Sequence, residues 1–308
     1  MKIVLLDTLT FGATYLGEFD KLGAVKAYQT TASHEVDERI TNADVIVTNK
    51  VVINEMHMQN ASSLKLICVA ATGMNNVDLN AAKKRGIEVK NVAGYSTDSV
   101  IQHTFSMLLY LIGHAHYYDE VVKNGTYSRS SIFTDVSKPF FEIKGKKWGI
   151  IGLGTIGHGV AKIAAAFGAE IFYYSTSGAN RDMSYQNVSL EVLLQSCDII
   201  SIHAPLNEKT NNLLDYEQLL MCKDGAVVLN LGRGGIINEE AVARIIDTKN
   251  ISFGLDVLMQ EPMRKNHPFF DIKNQQNLYV TPHIAWTSIE ARDKLIAQTI
   301  ENIKSLKA

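Results

Sequence analysis

The 308-residue sequence predicts a doubly wound α/β fold in two blocks, and three observations carry that prediction. Short apolar, β-branched runs recur along the chain. Helical candidates separate many of them. The runs are apolar on consecutive rather than alternate positions, the pattern of strands covered on both faces of a parallel sheet. Strand and helix alternating in this way build doubly wound sheets.

In chain order the strand candidates are residues 2–7, 44–49 and 64–71, then 147–152, 170–175, 198–204, 226–232, 253–258 and 278–282. Helical candidates lie between many of them, at 157–168, 189–197 and 238–248, the last with Asn238 placed as N-cap before Glu239 and Glu240. A long apolar helix starting near Ser99 separates the two blocks. A final helix is expected over 288–306, and periodicity leaves open which block it joins. No internal repeat, low-complexity tract or Pro- or Ser-rich linker marks a boundary.

The composition, 46% hydrophobic and 20% charged with a net charge of -2, is that of a soluble globular protein. It gives no electrostatic reason to expect nucleic acid or an anionic membrane as partner, so a small molecule is the expected ligand. Cys68, Cys197 and Cys222 are odd in number, far apart and set among apolar neighbours; they read as reduced core thiols of a cytoplasmic protein, and no metal site is expected. The start "MKIVLLDT" is too short an apolar run for a signal peptide. "FSMLLYLIGHAHYY", interrupted by Gly113, His114 and His116, falls short of a membrane span.

"GLGTIG" fits G-x-G-x-x-G with Gly152, Gly154 and Gly157, behind a strand and ahead of an amphipathic helix. One glycine permits the tight turn, one lets backbone approach a pyrophosphate, and one lets helix and strand pack closely. The next strand should end in a carboxylate for the adenosine ribose, yet "YYSTSGANR" places Ser175, Thr176 and Ser177 there. Those hydroxyls could bond the ribose of NAD or, with Arg181 nearby, hold a 2′-phosphate; the reading leans slightly toward tolerance of both cofactors.

Other strand ends carry polar residues. "NLGRGG" puts Arg233 among glycines, where its planar fork could grip a carboxylate or simply sit on the surface. "LDVLMQEP" supplies Asp256 and Glu261, and "VTPHIAW" supplies His283. A histidine beside a carboxylate suits a proton donor near neutral pH, but sequence alone does not show that His283 meets Glu261. His103, His114 and His116 read as helix residues, with His103 a weaker site candidate.

Six motifs occur in order: "ATGMNNVDL" (71–79), "GLGTIG", "CDIISIHAPLNEKT" (197–210), "VVLNLGRGG" (227–235), "GLDVLMQEP" (254–262) and "TPHIA" (281–285). With them, residues 64 to 290 resemble the D-isomer-specific 2-hydroxyacid dehydrogenases. Within that family "NVAGYSTDSVIQHTF" (91–105) and "PHIAW" look most like the glycerate dehydrogenase, or hydroxypyruvate reductase, branch.

The resemblance implies a flavodoxin-like substrate domain, residues 1–97 and 286–308, into which a Rossmann NAD(P)-binding domain, 98–285, is inserted, with an active site between them that closes to exclude water. It implies that Arg233 holds the substrate carboxylate, that His283 is acid in reduction and base in oxidation, and that Glu261 keeps His283 protonated. Asp256 would contact the nicotinamide carboxamide, and His203 and Pro205 would line the cofactor cleft. Thr155, Ile156, Thr210, Leu231 and Gly232 complete the cofactor set with the glycines, Ser175–Ser177, Arg233 and His283. Thr72, Gly73 and Met74 would offer backbone N–H groups to the substrate carboxylate.

The implied activity is hydride transfer between NAD(P)H and a small 2-keto or D-2-hydroxy acid by a homodimer, for which the apolar segment 103–118 suits an interface or an internal helix equally. Two departures stand out. The acidic ribose residue is missing at Ser175, and Trp286 replaces a small residue after "HIA", either narrowing the substrate pocket or serving a subunit contact. A dinucleotide-sensing corepressor with little turnover is the alternative, though the chain lacks long flanking tails. A degraded homologue that only binds cofactor is blander still, and a formate dehydrogenase-like reading is disfavoured because that group pairs its histidine with glutamine.

Overall fold

The computed structural model describes residues 1–179 and 182–306. The chain begins β1 (Lys2–Leu5), β2 (Ala24–Ala27), α1 (Val36–Ile40), β3 (Val45–Thr48), α2 (Glu55–Asn60), β4 (Leu66–Val69), α3 (Leu79–Lys84) and β5 (Glu88–Lys90). It continues with α4 (Thr97–Ile112), α5 (Ala115–Lys123), β6 (Lys147–Ile151), α6 (Thr155–Ala166), β7 (Glu170–Tyr174), β8 (Gln186–Asn187), α7 (Leu190–Ser196) and β9 (Ile199–Ile202). Then follow α8 (Tyr216–Met221), β10 (Ala226–Asn230), α9 (Glu239–Ile245), β11 (Ile251–Leu255), β12 (Leu278–Val280) and α10 (Ile289–Lys304).

The chain forms two compact units, Met1–Ser96 with Trp286–Ala308, and Thr97–Ala285. The first unit holds a five-stranded sheet in the order β2-β1-β3-β4-β5. Every pair in it is parallel. β3 and β4 are buried along their whole length, which is why their sequences "VIVT" and "LICV" are apolar throughout. Ile3, Leu5, Val45 and Val47 face one core and Val4, Leu6 and Ile46 the other. Ser288 caps α10 by accepting from the Ala291 N–H, and the helix packs Leu295, Ile296, Ile300 and Ile303 on the first of these cores. Trp286 packs there as well, with its ring edge-on to Tyr95 at 6.1 Å.

The second unit holds a seven-stranded parallel sheet in the order β12-β11-β10-β9-β6-β7-β8, cored on both faces. The largest fully buried side chain among the described residues, Trp148 on β6, donates its indole N–H to Ser201 Oγ at 2.9 Å, so its one polar side-chain atom is satisfied. Asn238 accepts from the Ala241 N–H and starts α9.

Two local features differ from the sequence reading. The apolar segment 103–118 is not one helix: Gly113 and His114 break it, and His114 adopts a left-handed φ of 47° ahead of α5. Of the three histidines of this region, His103 and His116 are helical and His114 is not. Strands β2, β5 and β8 escape a search for apolar runs because they are edge strands with exposed or half-buried side chains. Among the described residues, no helix is long and apolar enough to cross a membrane.

The three thiols lie buried in the cores, and burial pushes Cys68 and Cys222 up to about 12 and Cys197 up to about 11. Only the thiolate attacks disulfide reagents. The folded protein at pH 8 is therefore expected to release well under one equivalent of thionitrobenzoate from Ellman's reagent, and about three after denaturation; rapid labelling of the native protein contradicts this burial.

Candidate active site

In the second unit the strand ends are level. Ile151, Ile202, Asn230, Leu255 and Val280 stand opposite one another across the register of five neighbouring strands. Just beyond those positions the chain places Gly152, His203, Arg233, Asp256 and His283. The carboxyl edge of one sheet thus collects them in a row. Because strands lie about 4.8 Å apart, Arg233 after β10 and His283 after β12 spring from backbones roughly 10 Å apart.

The strand order reverses between β6 and β9, which is where open α/β sheets take ligands. A cavity of about 780 Å³ opens there, lined by Gly152, Gly154, Ser175, Thr176, Ser177, His203 and Pro205. Leu153, Ala204, Asn207, Glu208 and Lys209 also line it, and sequence reasoning did not name them. Their signal was present, since Leu153 lies within "GLGTIG" and the other four within "HAPLNEKT", which runs through the turn after β9.

Each glycine of the turn has a physical reason. Gly152 has φ 92°, and a Cβ there would meet Ala204 at 2.9 Å; a Cβ on Gly157 would meet the Gly152 carbonyl oxygen at 2.3 Å. Gly154 is different, because a Cβ on it would meet nothing within 4 Å and would only fill open space. It starts α6 with no side-chain cap and no acidic residue in the first turn, leaving the helix N–H groups for an anion. Thr155 is exposed in this turn, while Ile156 packs partly on the core.

His203 is the other mark of a ligand. Both of its ring nitrogens are buried without a hydrogen-bond partner, and burial pushes its pKa down to about 3. The glycine cradle and these orphaned atoms fit a dinucleotide. His158 on α6 bonds Asp182, which raises the imidazole pKa and ties the segment beyond β7 to the cofactor helix. Arg181 lies outside the described residues. Thr210 is fully buried, and its hydroxyl donates to the Pro205 carbonyl at 2.7 Å, so it braces the 205–210 turn from within. Leu231 and Gly232 are likewise buried behind Arg233.

Glu261 Oε2 lies 2.7 Å from His283 Nδ1, and Glu261 Oε1 accepts the Leu258 N–H at 3.0 Å. A carboxylate only accepts, so Nδ1 carries the hydrogen and Nε2 is left for proton transfer. His283 sits at φ 55°, a left-handed conformation that a residue with a Cβ adopts only when its surroundings impose it. Its N–H is held by the carbonyls of Asp256 and Thr281, each at 2.9 Å. The Asp256 carboxylate, 1% exposed, accepts the Thr281 hydroxyl at 2.6 Å and the N–H groups of Ile284 and Ala285 at 2.8 and 3.0 Å.

Arg233 is half-buried, donates to the Gly232 carbonyl at 2.8 Å, and has no ion-pair partner among the described residues. Its fork is not joined to Glu261 or His283. In the first unit, Thr72 donates to the Val92 carbonyl at 3.2 Å and its own carbonyl accepts from Asn91; Gly73 and Met74 follow it half-buried.

The model of the D-isomer specific 2-hydroxyacid dehydrogenase family, NAD binding domain, matches residues 105–285. The chain belongs to this family. It is an oxidoreductase with an NAD-binding domain, acting on the CH–OH group of 2-hydroxy acids. It is 32% identical to a hydroxypyruvate reductase of Blautia hydrogenotrophica over 99% of this chain and 96% of that one. It is 34% identical to a glycerate dehydrogenase of Methylorubrum extorquens over 100% and 96%. Among solved structures it is similar to a D-lactate dehydrogenase of Aquifex aeolicus complexed with NAD and lactic acid, at a TM-score of 0.86 and 25% identity, covering 100% of this chain and 95% of that one.

Two glycines of this dehydrogenase fold separate binding from folding. Gly154→Val should leave the melting temperature nearly unchanged while weakening NADH binding, followed by fluorescence, at least about tenfold; Gly157→Ala should lower the melting temperature itself, because its Cβ meets backbone. Equal effects of both on stability would sink this distinction. His203 makes a pH prediction. Between the ordinary histidine value of 6.5 and about 3 the unfolded chain holds a proton that the folded chain refuses, so this residue's contribution falls as pH falls through that window. Urea midpoints from pH 7 to 4 should drop more steeply for the wild type than for His203→Phe.

Proposed function

We propose that the protein reduces small 2-keto acids, hydroxypyruvate or glyoxylate foremost, to D-2-hydroxy acids with NADH or NADPH. The contact between Glu261 and His283 carries this reading. An imidazole whose Nδ1–H is committed to a carboxylate can give a proton from Nε2 to a carbonyl oxygen, and the carboxylate stabilises the charge that remains. A sensor of dinucleotides needs no such pair, and nothing in the relatives' names favours that alternative.

In this reading Arg233, whose guanidinium has no carboxylate partner among the described residues, holds the substrate carboxylate bidentately and so aligns the carbonyl with His283. Thr72, Gly73 and Met74 supply further donors to the same carboxylate. Bound nicotinamide supplies or accepts the hydride. Gly152, Gly154, Thr155, Ile156 and Gly157 receive its pyrophosphate, and Ser175, Thr176 and Ser177 take the adenosine ribose. With no carboxylate among those three to repel a 2′-phosphate, both NAD and NADP are accepted. Met1–Ser96 with the C-terminal helix acts as the substrate domain and Thr97–Ala285 as the NAD(P)-binding domain.

We further propose that the enzyme is a cytoplasmic homodimer. Ile132, Phe133, Val136 and Phe140 are exposed apolar side chains within nine residues that a second copy would cover. Sedimentation at micromolar concentration should give about 68 kDa, twice the chain mass.

The activity is tested by following oxidation of NADH and of NADPH with hydroxypyruvate, glyoxylate and pyruvate. Turnover with hydroxypyruvate or glyoxylate exceeding that with pyruvate is expected, and no turnover with any of them refutes the reading. Arg233→Lys should lower kcat/KM for the keto acid at least about tenfold, since a point charge cannot reproduce the fork. Glu261→Gln should lower kcat more than it raises KM, because the positive imidazole loses its counter-charge.

A further inference from the structure

The turn that carries His283 is fastened to a helix with which the chemistry above has no dealings. On α4, Ser99 and His103 lie four residues apart and share a face. Ser99 Oγ donates to the Ala285 carbonyl at 2.6 Å, and His103 Nε2 lies 3.1 Å from Thr281 Oγ1. These two contacts grip both ends of the segment Thr281–Ala285, with His283 at its middle.

The direction of the hydrogen bonds follows from proton counting. Thr281 has one hydroxyl hydrogen, and its oxygen is 2.6 Å from Asp256 Oδ1, which as a carboxylate can only accept. The hydrogen therefore points at Asp256, and the Thr281 oxygen is left to accept from His103. That fixes His103 with its hydrogen on Nε2. Burial pushes the His103 pKa down against the opposing pull of Asp256, the one charged group among the described residues that faces it, with Nε2 3.6 Å from Asp256 Oδ1. A neutral His103 thus donates to Thr281, which donates to Asp256, whose two oxygens also receive the N–H groups flanking the turn at Ile284 and Ala285.

We propose that His103 is a positioning residue for proton transfer: through Thr281 and the Asp256 carboxylate it sets the turn that presents His283. The reason it is needed is the left-handed backbone at His283, which the turn does not adopt unaided. Loss of one donor loosens that backbone, and small errors in the placement of a proton donor are amplified in rate. The claim rests on His283 being the proton-transfer group of the proposed reduction.

His103→Leu, His103→Gln and Thr281→Val are compared with the wild type, using glyoxylate and NADH. His103→Leu should lower kcat about three- to tenfold, the scale of one hydrogen bond, with NADH binding unchanged within about twofold. His103→Gln keeps a donor and should restore most of that loss. Thr281→Val should repeat it, and the double variant with His103→Leu should be no worse than either single one. Wild-type kcat in the Leu variant, or no rescue by Gln in a protein that melts normally, overturns the proposal.

Ring nitrogen shifts from 15N NMR separate this claim from the reaction itself. His103 should show the Nε2–H tautomer, and the His283 ring signals should move in the Leu variant but not in the Gln variant. If the wild type turns over no keto acid, the reaction falls while these shifts still judge the positioning; an Nδ1–H tautomer at His103 overturns it in either case.

Discussion

The level ends of parallel strands are the constraint on which the site depends. A parallel ladder keeps neighbouring strands pointing the same way, so a residue just past one strand end lies beside its counterpart past the next. Registers that align Ile151, Ile202, Asn230, Leu255 and Val280 bring together residues as distant in sequence as Gly152 and His283. No side chain in the row has to reach far. The dinucleotide turn, the arginine and the histidine share an edge because the strands below them are in register.

Position along that edge is not sufficient, because a proton donor also needs an orientation, and loops are freer than strands. The structure fixes the two loops concerned with carboxylates, the buried Asp256 and the half-buried Glu239. Asp256 receives the N–H groups and the hydroxyl of the 281–285 turn. Glu239, in the first turn of α9, accepts the Met259 N–H at 2.5 Å and bonds His267 at 2.8 Å, tying down the segment in which Glu261 lies. Backbone donors bonded to an ion lose more when broken than donors bonded to water, so these loops behave as extensions of the sheet. Glu261 and His283 then meet as parts of a common scaffold.

How much of this was legible in the sequence follows from what sequence patterns record. Consecutive apolar residues gave β3, β4, β9 and β10, since those strands are buried on both faces. The edge strand "QN" of β8 buries nothing and leaves no pattern. Asn238 could be placed as a cap because capping is local. The glycine turn was legible because its G-x-G-x-x-G spacing is local, although the Ala204 backbone that Gly152 must clear lies past β9, far along the chain. The 2.7 Å contact of Glu261 with His283 spans 22 positions and two loops, so spacing gave the residue types but not the meeting. Asp256 could be found at a strand end, yet its engagement with the 281–285 turn depends on a buried geometry that no periodicity encodes. Thr210, placed with the cofactor by the motif around it, turns out to spend its hydroxyl on the Pro205 carbonyl, because a buried hydroxyl must be satisfied close by.

The two doubly wound sheets raise a last question, why a dinucleotide should choose one. The first unit has its own reversal of strand order between β1 and β3, where a ligand crevice would form on topology alone. There the chain has supplied its own anion. Asp7, just past β1, is buried, and its carboxylate accepts from the N–H groups of Asn49, Lys50 and Val51 beyond β3. Burial raises its pKa and those three N–H groups pull it back, which shows the donors already spent on an internal charge. At the reversal in the second unit the turn past β6 opens with Gly152, which has no side chain to spend, and His203 past β9 leaves two nitrogens unpaired. A phosphate arriving at the first sheet would meet a carboxylate; at the second it would meet the N-terminus of α6, which has no side-chain cap and no acidic residue in its first turn. The same topology is thus closed in one unit and open in the other by the residue that follows one strand.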